Sequence, residues 1–519
     1  MTTTMAKRAR APAALMALLL APAAFAEVRF TPAISGSETY SDNVALQPSE
    51  LAQSSFITEL TPSFSLVSNG PRLKLSANYQ LHLYSYSNKV ANTNNTSSQY
   101  QLSMQSKLID QLLDLDASAA RQTTSLSAFG PQGNDSLYSA SNRTSVSTYT
   151  ISPTLRHRFG GTADAYLRYT RNRVEGDRYL GTTNGENINA NITSGRNFNV
   201  ISWDVNAVQD TYSATQDSFS NPTFGDTKSQ NVEGTVRYRS SQTITFTTSA
   251  GYDKYDYPSP TGGTTQGASY TGGLIWTPSS RTRVQMTYGR RYYGNTGSMA
   301  ASYRGHRSAL NASYGDTVTT SRQQFLANSG VNTNDLLNAM LTASIPDPVE
   351  RQKAIAAYIA ATGITPSLSS NTNYLTNIFQ RQRTLQVGYS LEGAHSTTTL
   401  SVQKSRVTAL STQQANNSLL GQNLASLNNN LDSFGGSASY TRRMTQASQI
   451  IASANYQRSK TLDTNLTTDS ESVRLGMTHA FDAKLRGTAE LRQTRGSYYN
   501  TGSSRYRENA ISATISQQF

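Results

Sequence analysis

From Val28 to Phe519 the chain is written in segments of roughly ten residues in which apolar and polar side chains alternate. Leu73, Leu75, Ala77, Tyr79, Leu81 and Leu83 fall on one face of a single predicted strand, with Lys74, Ser76, Asn78, Gln80 and His82 between them. In a closed sheet that crosses a bilayer, one face of every strand meets lipid and the other meets water, so this alternation predicts an all-β chain folded as a transmembrane antiparallel up-and-down β-barrel. A slip of one residue would carry Lys74 into lipid, which makes the register strongly specified.

Short and long connections alternate, as in a barrel with tight turns at its periplasmic end and longer loops outside. Ser68-Asn69-Gly70-Pro71, Gly160-Gly161, Pro278-Ser279-Ser280, Gly393-Ala394-His395 and Asp482-Ala483-Lys484 predict tight turns. The Asn-, Ser-, Thr- and Gly-rich stretches 87–98, 123–144, 175–196, 210–229, 258–267 and 408–431 predict outer loops. Up-and-down parity fails near Trp203 to Tyr212 and again around residue 317, and an even strand number of about 16 to 20 is expected.

Residues 319–377 break the pattern. Asp347-Pro348-Val349-Glu350 is a helix start, with Asp as cap and Pro at the first helical position, and Gly363 is a natural C-cap. Asn334 caps a shorter predicted helix that puts Leu337, Met340 and Leu341 on one face. Such an insertion folds as an outer loop, enters the lumen as a constriction or lies on the periplasmic side.

The N-terminus gives the destination. Lys7, Arg8 and Arg10 precede a short apolar stretch from Ala13 to Ala21, and Ala24-Phe25-Ala26 is a small-residue cleavage site, so residues 1–26 are expected to be a secretory signal and 27–519 the barrel. No later segment has the roughly 20 apolar residues of a membrane helix. A mean hydropathy of −0.50 is compatible with membrane insertion, because alternation hides the apolar face. The absence of cysteine excludes disulfides and thiolate metal sites. A formal charge of +13 would ordinarily suggest nucleic acid, but the cations are spread singly among strands with no basic run, so lipopolysaccharide, anionic solutes or an acidic glycan suit it better. The 29 Tyr and 15 Phe against 15 Pro argue against disorder.

Alternation also assigns faces. Arg156, Arg158, Arg168, Arg237, Arg239, Arg283, Arg291, Arg307, Arg443, Arg474, Arg486 and Arg492 fall on the predicted lumen side, with only Asp164, Glu233, Glu392 and Glu490 as acids. Rings of arginine bias a pore toward anions, although barrel walls also pair arginine with acids simply to solvate the interior. Arg171 and Arg290 fall on the apolar side and are expected near the rim. Tyr79, Tyr169, Tyr238, Tyr288, Tyr389, Tyr440 and Tyr456 read as interfacial girdle residues, while Tyr84, Tyr166 and Tyr293 fall on the polar side. His82, His157, His306, His395 and His479 are scattered without metal-ligand spacing, and no nucleophile elbow or phosphate loop is present, so no enzyme, metal or cofactor is expected.

Two features carry a family resemblance. The last strand, Asn509 to Phe519, puts Ile511, Ala513, Ile515 and Phe519 on one face, and its terminal aromatic resembles the assembly signal that the outer-membrane assembly machinery reads in bacterial barrels. The opening hairpin runs Glu38-Thr39-Tyr40-Ser41-Asp42-Asn43-Val44, then Phe56 to Phe64 and the Ser68-Asn69-Gly70 turn. It resembles the β-barrel porins that accompany exopolysaccharide and PEP-CTERM/exosortase gene clusters in Gram-negative bacteria, with Tyr40, Asp42 and Asn43 as the marker and the inserted helix past mid-chain as a further likeness. The resemblance implies an outer-membrane channel taking part in exopolysaccharide export, and it transfers no catalytic residues. A general anion-preferring diffusion porin and a structural or adhesive barrel are the alternatives. A receptor with a separate plug domain is not expected, because alternation begins at Val28. Tyr40, Asp42 and Asn43 themselves read as a girdle residue followed by an Asx-type turn.

Overall fold

In the computed structural model, residues 28–88, 93, 95–133, 142–176, 182–215, 227–257, 265–326, 379–411, 426–499 and 503–519 are described. They form one 22-stranded sheet closed on itself. The first half comprises β1 (Val28–Ser41), β2 (Ser55–Asn69), β3 (Leu73–Tyr86), β4 (Thr96–Ile109), β5 (Leu113–Ser125), β6 (Arg143–Phe159), β7 (Ala163–Gly176), β8 (Thr182–Ser194), β9 (Ile201–Thr215), β10 (Thr227–Arg239) and β11 (Ile244–Tyr255). The second half comprises β12 (Gln266–Ser279), β13 (Thr282–Arg291), β14 (Gly294–Arg304), β15 (Ser308–Thr319), β16 (Gln380–Glu392), β17 (Ser396–Ala409), β18 (Leu431–Arg443), β19 (Ser448–Thr461), β20 (Thr467–Ala480), β21 (Leu485–Tyr499) and β22 (Ser503–Gln518). Each strand pairs antiparallel with its sequence neighbours, and β1 pairs with β22 from Ala33 opposite Gln518 to Ser41 opposite Ala510. Closure leaves no free edge, which a bilayer requires.

The expected 16 to 20 strands are too few. Residues 175–196, expected as an outer loop, contain β8, whose sequence Thr-Thr-Asn-Gly-Glu-Asn-Ile-Asn-Ala-Asn-Ile-Thr-Ser offers only Ile188, Ala190 and Ile192 as an apolar face. Asparagine-rich alternation reads as loop when propensity is weighed, and a sheet supplies the pairing that propensity does not. Missing this strand inverts the parity of β9, which is where the expected order fails. A second concealed turn is Tyr292-Tyr293 between β13 and β14, completed by Gly294 at a φ of +107° that other residues rarely adopt. The break around residue 317 has a different origin: β15 and β16 are direct neighbours, Thr319 opposite Gln380, and the whole insertion is a connection between them. The Asp347 to Gly363 and Asn334 helices, and the signal segment 1–26, lie outside the described residues.

Turns at the end that holds Val28 and Phe519 are short, the longest being the stretch between Ser194 and Ile201. That end is the inner, periplasmic one by the same asymmetry that the sequence shows. All five expected tight turns lie there.

Outward side chains form the apolar band. Leu155 faces Leu167 across β6 and β7, Ile192 faces Val205 across β8 and β9, and Tyr238 faces Phe246 across β10 and β11. All six are exposed on the barrel's outside. Replacing Leu167 with Arg should cost about 2–4 kcal/mol in lipid vesicles, because the charge then sits in hydrocarbon. Urea titration followed by the heat-modifiable gel shift measures it, and an unchanged midpoint would show that this face is not in lipid.

Candidate functional site

The lumen wall is built from the inward positions, and its charges are mostly neutralised within the wall itself. Arg156 Nε lies 2.7 Å from Asp114, Arg158 Nε 2.8 Å from Asp164 and Arg168 Nη2 3.0 Å from Asp116. Arg237 pairs with Asp204. Arg291 donates to Asp253 at 2.9 Å and to Glu233 at 2.7 Å. Arg474 meets Glu490 at 3.2 Å and Arg492 meets Glu508 at 3.1 Å. The acid count drawn from the sequence was therefore too low, since Asp114, Asp116, Asp204, Asp253 and Glu508 all face these arginines.

Small inward residues make this pairing possible over more than one strand. Arg168 on β7 reaches Asp116 on β5 past Ser152 and Thr154, both buried, on the intervening β6. Arg291 on β13 reaches β11 and β10 past Gly267 and Ser269 on β12. The Asp253 carboxylate, completely buried, also accepts from Asn231 at 2.5 Å. A long guanidinium stem laid flat over small side chains keeps its fork fully used.

Five of the twelve expected lumen arginines have no such partner. Arg239, Arg283, Arg443 and Arg486 occupy inward positions beside the inner turns, without an ion pair among the described residues. Arg307 lies in the turn between β14 and β15 rather than on the wall, because β14 ends at Arg304. Arg290 is on the outside next to the Tyr292-Tyr293 turn, and Arg171 is on the outside facing Glu186, so both avoid the middle of the bilayer.

At the outer end the lumen is crossed from two sides. The segment following β5, residues 126–133, leans across to the inner faces of β17 to β22. Phe129, completely buried, packs with Ala128, Val407 and Leu431, and with Leu427, Leu466 and Tyr499 at its edge. Backbone and side-chain hydrogen bonds hold it: Tyr499 N–H to the Phe129 carbonyl at 2.8 Å, Thr468 Oγ1 to the Ala128 carbonyl at 3.0 Å, and Tyr506 OH to the Gln132 carbonyl at 2.7 Å. Asn428 accepts from the Ser127 hydroxyl and the Ala128 N–H, both at 3.2 Å.

From the opposite wall a one-turn helix, α1 (Ser321–Leu326), enters the lumen immediately after β15. Its Phe325 packs on Val146 and Val174 of β6 and β7, joined by Leu326 and by Leu126 of the first crossing segment. Arg322 bonds Asn172 and lies 4.7 Å over the Tyr212 ring, while Gln323 Nε2 donates to Tyr212 OH at 2.9 Å and Gln324 Nε2 to Gln382 at 2.7 Å. The insertion's first turn is thus inside the barrel. Entry of the insertion into the lumen was one of the three placements that the sequence left open, whereas the first crossing was missed because it has no pattern of its own, being one phenylalanine in a Ser/Gly loop. Below them the lumen is wet, with Lys74, Ser76, Asn78 and Gln80 of β3 exposed on its inward face.

The marker residues form a clasp across the first and last strands. Asp42 accepts from the Asn509 backbone N–H and side-chain amide, each at 2.7 Å, and Asn43 Nδ2 donates to the Arg507 carbonyl at 3.0 Å. Asn43 Oδ1 accepts from Gln47 N–H at 2.9 Å, four residues on, a wider local bond than the two-residue Asx turn expected. Tyr40 is outward, its ring 5.0 Å from that of Phe56. At the inner end Phe519 closes the same seam, its N–H donating to the Pro32 carbonyl at 2.9 Å. His82 bonds Glu59 at 2.6 Å and His479 bonds Ser448 at 2.8 Å, and no group of three or more potential metal ligands is present among the described residues.

No known protein-family profile matches the sequence, and no curated protein matches it. Among solved structures, the FrpB iron transporter of Neisseria meningitidis is similar at 10% identity, over 94% of this chain and 82% of that one, with a TM-score of 0.49. The ferric-catecholate import receptor Fiu of E. coli is similar at 9% identity, over 94% and 81%, with a TM-score of 0.48. A variant of the ferric enterobactin receptor PfeA of Pseudomonas aeruginosa is similar at 9% identity, over 95% and 80%, with a TM-score of 0.47. The chain is an outer-membrane β-barrel. Its closed sheet, its apolar outer band and its wet interior leave that as the environment in which every face is satisfied.

Proposed function

We propose that this barrel is an outer-membrane channel that takes part in exopolysaccharide export or secretion. The observation that carries the reading is a wet, polar lower lumen ending at an outer mouth crossed by the chain's own Phe129 segment and α1. Water reaches the wall from within, while the exit is held by contacts that can be undone without disturbing the sheet. The resemblance of the Tyr40-Asp42-Asn43 hairpin to barrels of polysaccharide gene clusters supplies the substrate class.

A general anion-preferring porin is the second reading, and the ion pairs along the wall weigh against it. Where the arginines are paired, the wall carries little net charge and offers little selectivity. A structural barrel gains from the same filled mouth that a gated channel needs. Deleting the gene and assaying surface and periplasmic polysaccharide separates them: surface polymer should fall several-fold while periplasmic polymer rises. An unchanged distribution would overturn the export reading.

A further inference from the structure

We propose that Arg239, Arg283, Arg304, Arg443 and Arg486 form a receiving site for a polyanionic glycan, one bearing carboxylate, sulfate or phosphate groups, that approaches from the periplasm. The proposal rests on the export reading for its substrate and adds the polymer's charge and its side of approach. These arginines stand one on each of β10, β13, β14, β18 and β21, all at inward positions beside the inner turns. Their inward facing follows from alternation: Tyr238, Met286, Tyr303, Tyr440 and Leu491 are the exposed outward residues on the same strands.

The contrast with the deeper wall is the main observation. Arginines farther in, such as Arg237, Arg291, Arg474 and Arg492, each face an acid, whereas none of these five has an ion pair among the described residues. The inner turns from β8 to β21 contribute only Glu392 at the end of β16 and Asp482. Asp482 is engaged locally, accepting the N–H groups of Lys484 at 2.6 Å and Leu485 at 2.7 Å, which hold its carboxyl below the usual range. Turn residues Arg281, Arg307 and Lys484 add further positive charge to this arc.

A single water-exposed guanidinium contributes only about 0–1 kcal/mol to an ion pair. Five spaced around one rim act together only on a ligand that carries repeated anions, because each contact raises the effective concentration of the next. A chain polymer satisfies this and a small anion does not. Bilayer headgroups are excluded by geometry, since these side chains face the lumen. The attraction is screened over about 8 Å at physiological salt, so binding should be strongly salt-dependent.

The test uses the full-length protein in detergent micelles, with fluorescently labelled dextran sulfate as probe and uncharged dextran of the same length as its counterpart. Dextran sulfate should bind, uncharged dextran should not, and R239Q/R283Q/R304Q/R443Q/R486Q should weaken binding at least tenfold. Neutralising an equal number of outer-end arginines, among them Arg173, Arg406 and Arg495, should change it less than twofold. Equal loss in both variants would reduce the effect to net charge and overturn the site. Failure of dextran sulfate to bind the unmodified protein would also overturn it and would leave an acidic protein surface as the occupant. Binding is read without transport, so a protein that binds the probe while gene deletion leaves polysaccharide unaffected would sink the export reading and keep the anion site.

Discussion

Replacing Phe129 with Ala should raise single-channel conductance in planar bilayers several-fold. Phe129 is completely buried among Val407, Leu431, Leu427, Leu466 and Tyr499, although it belongs to a loop that begins at the end of β5. Truncating a buried phenylalanine costs about 3–5 kcal/mol. Applied to a docking equilibrium, at about 1.4 kcal/mol per tenfold, that shifts the balance between docked and released segments by more than a hundredfold. The sheet should not be affected, because β5 and β6 pair from Leu113 opposite Leu155 to Ser125 opposite Arg143, below this contact. The chain has no cysteine, which allows a clean reversal. Ser127 Oγ lies 3.2 Å from Asn428 Oδ1, which makes S127C/N428C the pair to try, with formation of the disulfide checked first on a non-reducing gel. Oxidising this pair in the Phe129→Ala background should return conductance to the unmodified level, and reduction should release it. Conductance unchanged by Phe129→Ala would show that the crossing does not limit the pore.

Glu508→Ala should destabilise the barrel by about 3–5 kcal/mol, the range for breaking a buried ion pair by removing one partner. Glu508 is 2% exposed, accepts from Ser41 at 2.7 Å and from Arg492 at 3.1 Å, and so ties β22 to both β1 and β21. Removing its carboxylate leaves the Arg492 guanidinium, also largely enclosed, without its acid. Replacing the two together with Met should cost less, since both members of the pair are then removed and the neighbouring Arg474 keeps Glu490. Urea titration of the folded, heat-modifiable form gives both values. Equal losses for the single and double variants would show that packing rather than charge holds this part of the seam. Asp42 and Asn43 clasp the same two strands nearby, so side chains as well as backbone pairing hold the β1–β22 seam at its outer end.

The sequence by itself determined the class of fold and the facing of the strands that it revealed. Alternation from Val28 onward, the Lys74 to Gln80 polar face and the tight-turn residues at Gly70, Gly160 and Asp482 are local properties, written at a period of two, and they appear as such in the barrel. It also placed seven of the twelve lumen arginines on walls where they meet acids, but not which acids. That depends on register across two or three strands, as with Arg168 over β6 and Arg291 over β12, and register is a property of pairing rather than of one strand's pattern. The β8 strand stayed hidden because its asparagines are poor strand formers whose place is set by β7 and β9 on either side. Only the tertiary structure decided the two crossings of the outer mouth and the clasp of Asp42 on Asn509. Each joins residues more than a hundred positions apart, and a loop phenylalanine becomes a core residue only when the opposite wall of a closed sheet is brought beneath it.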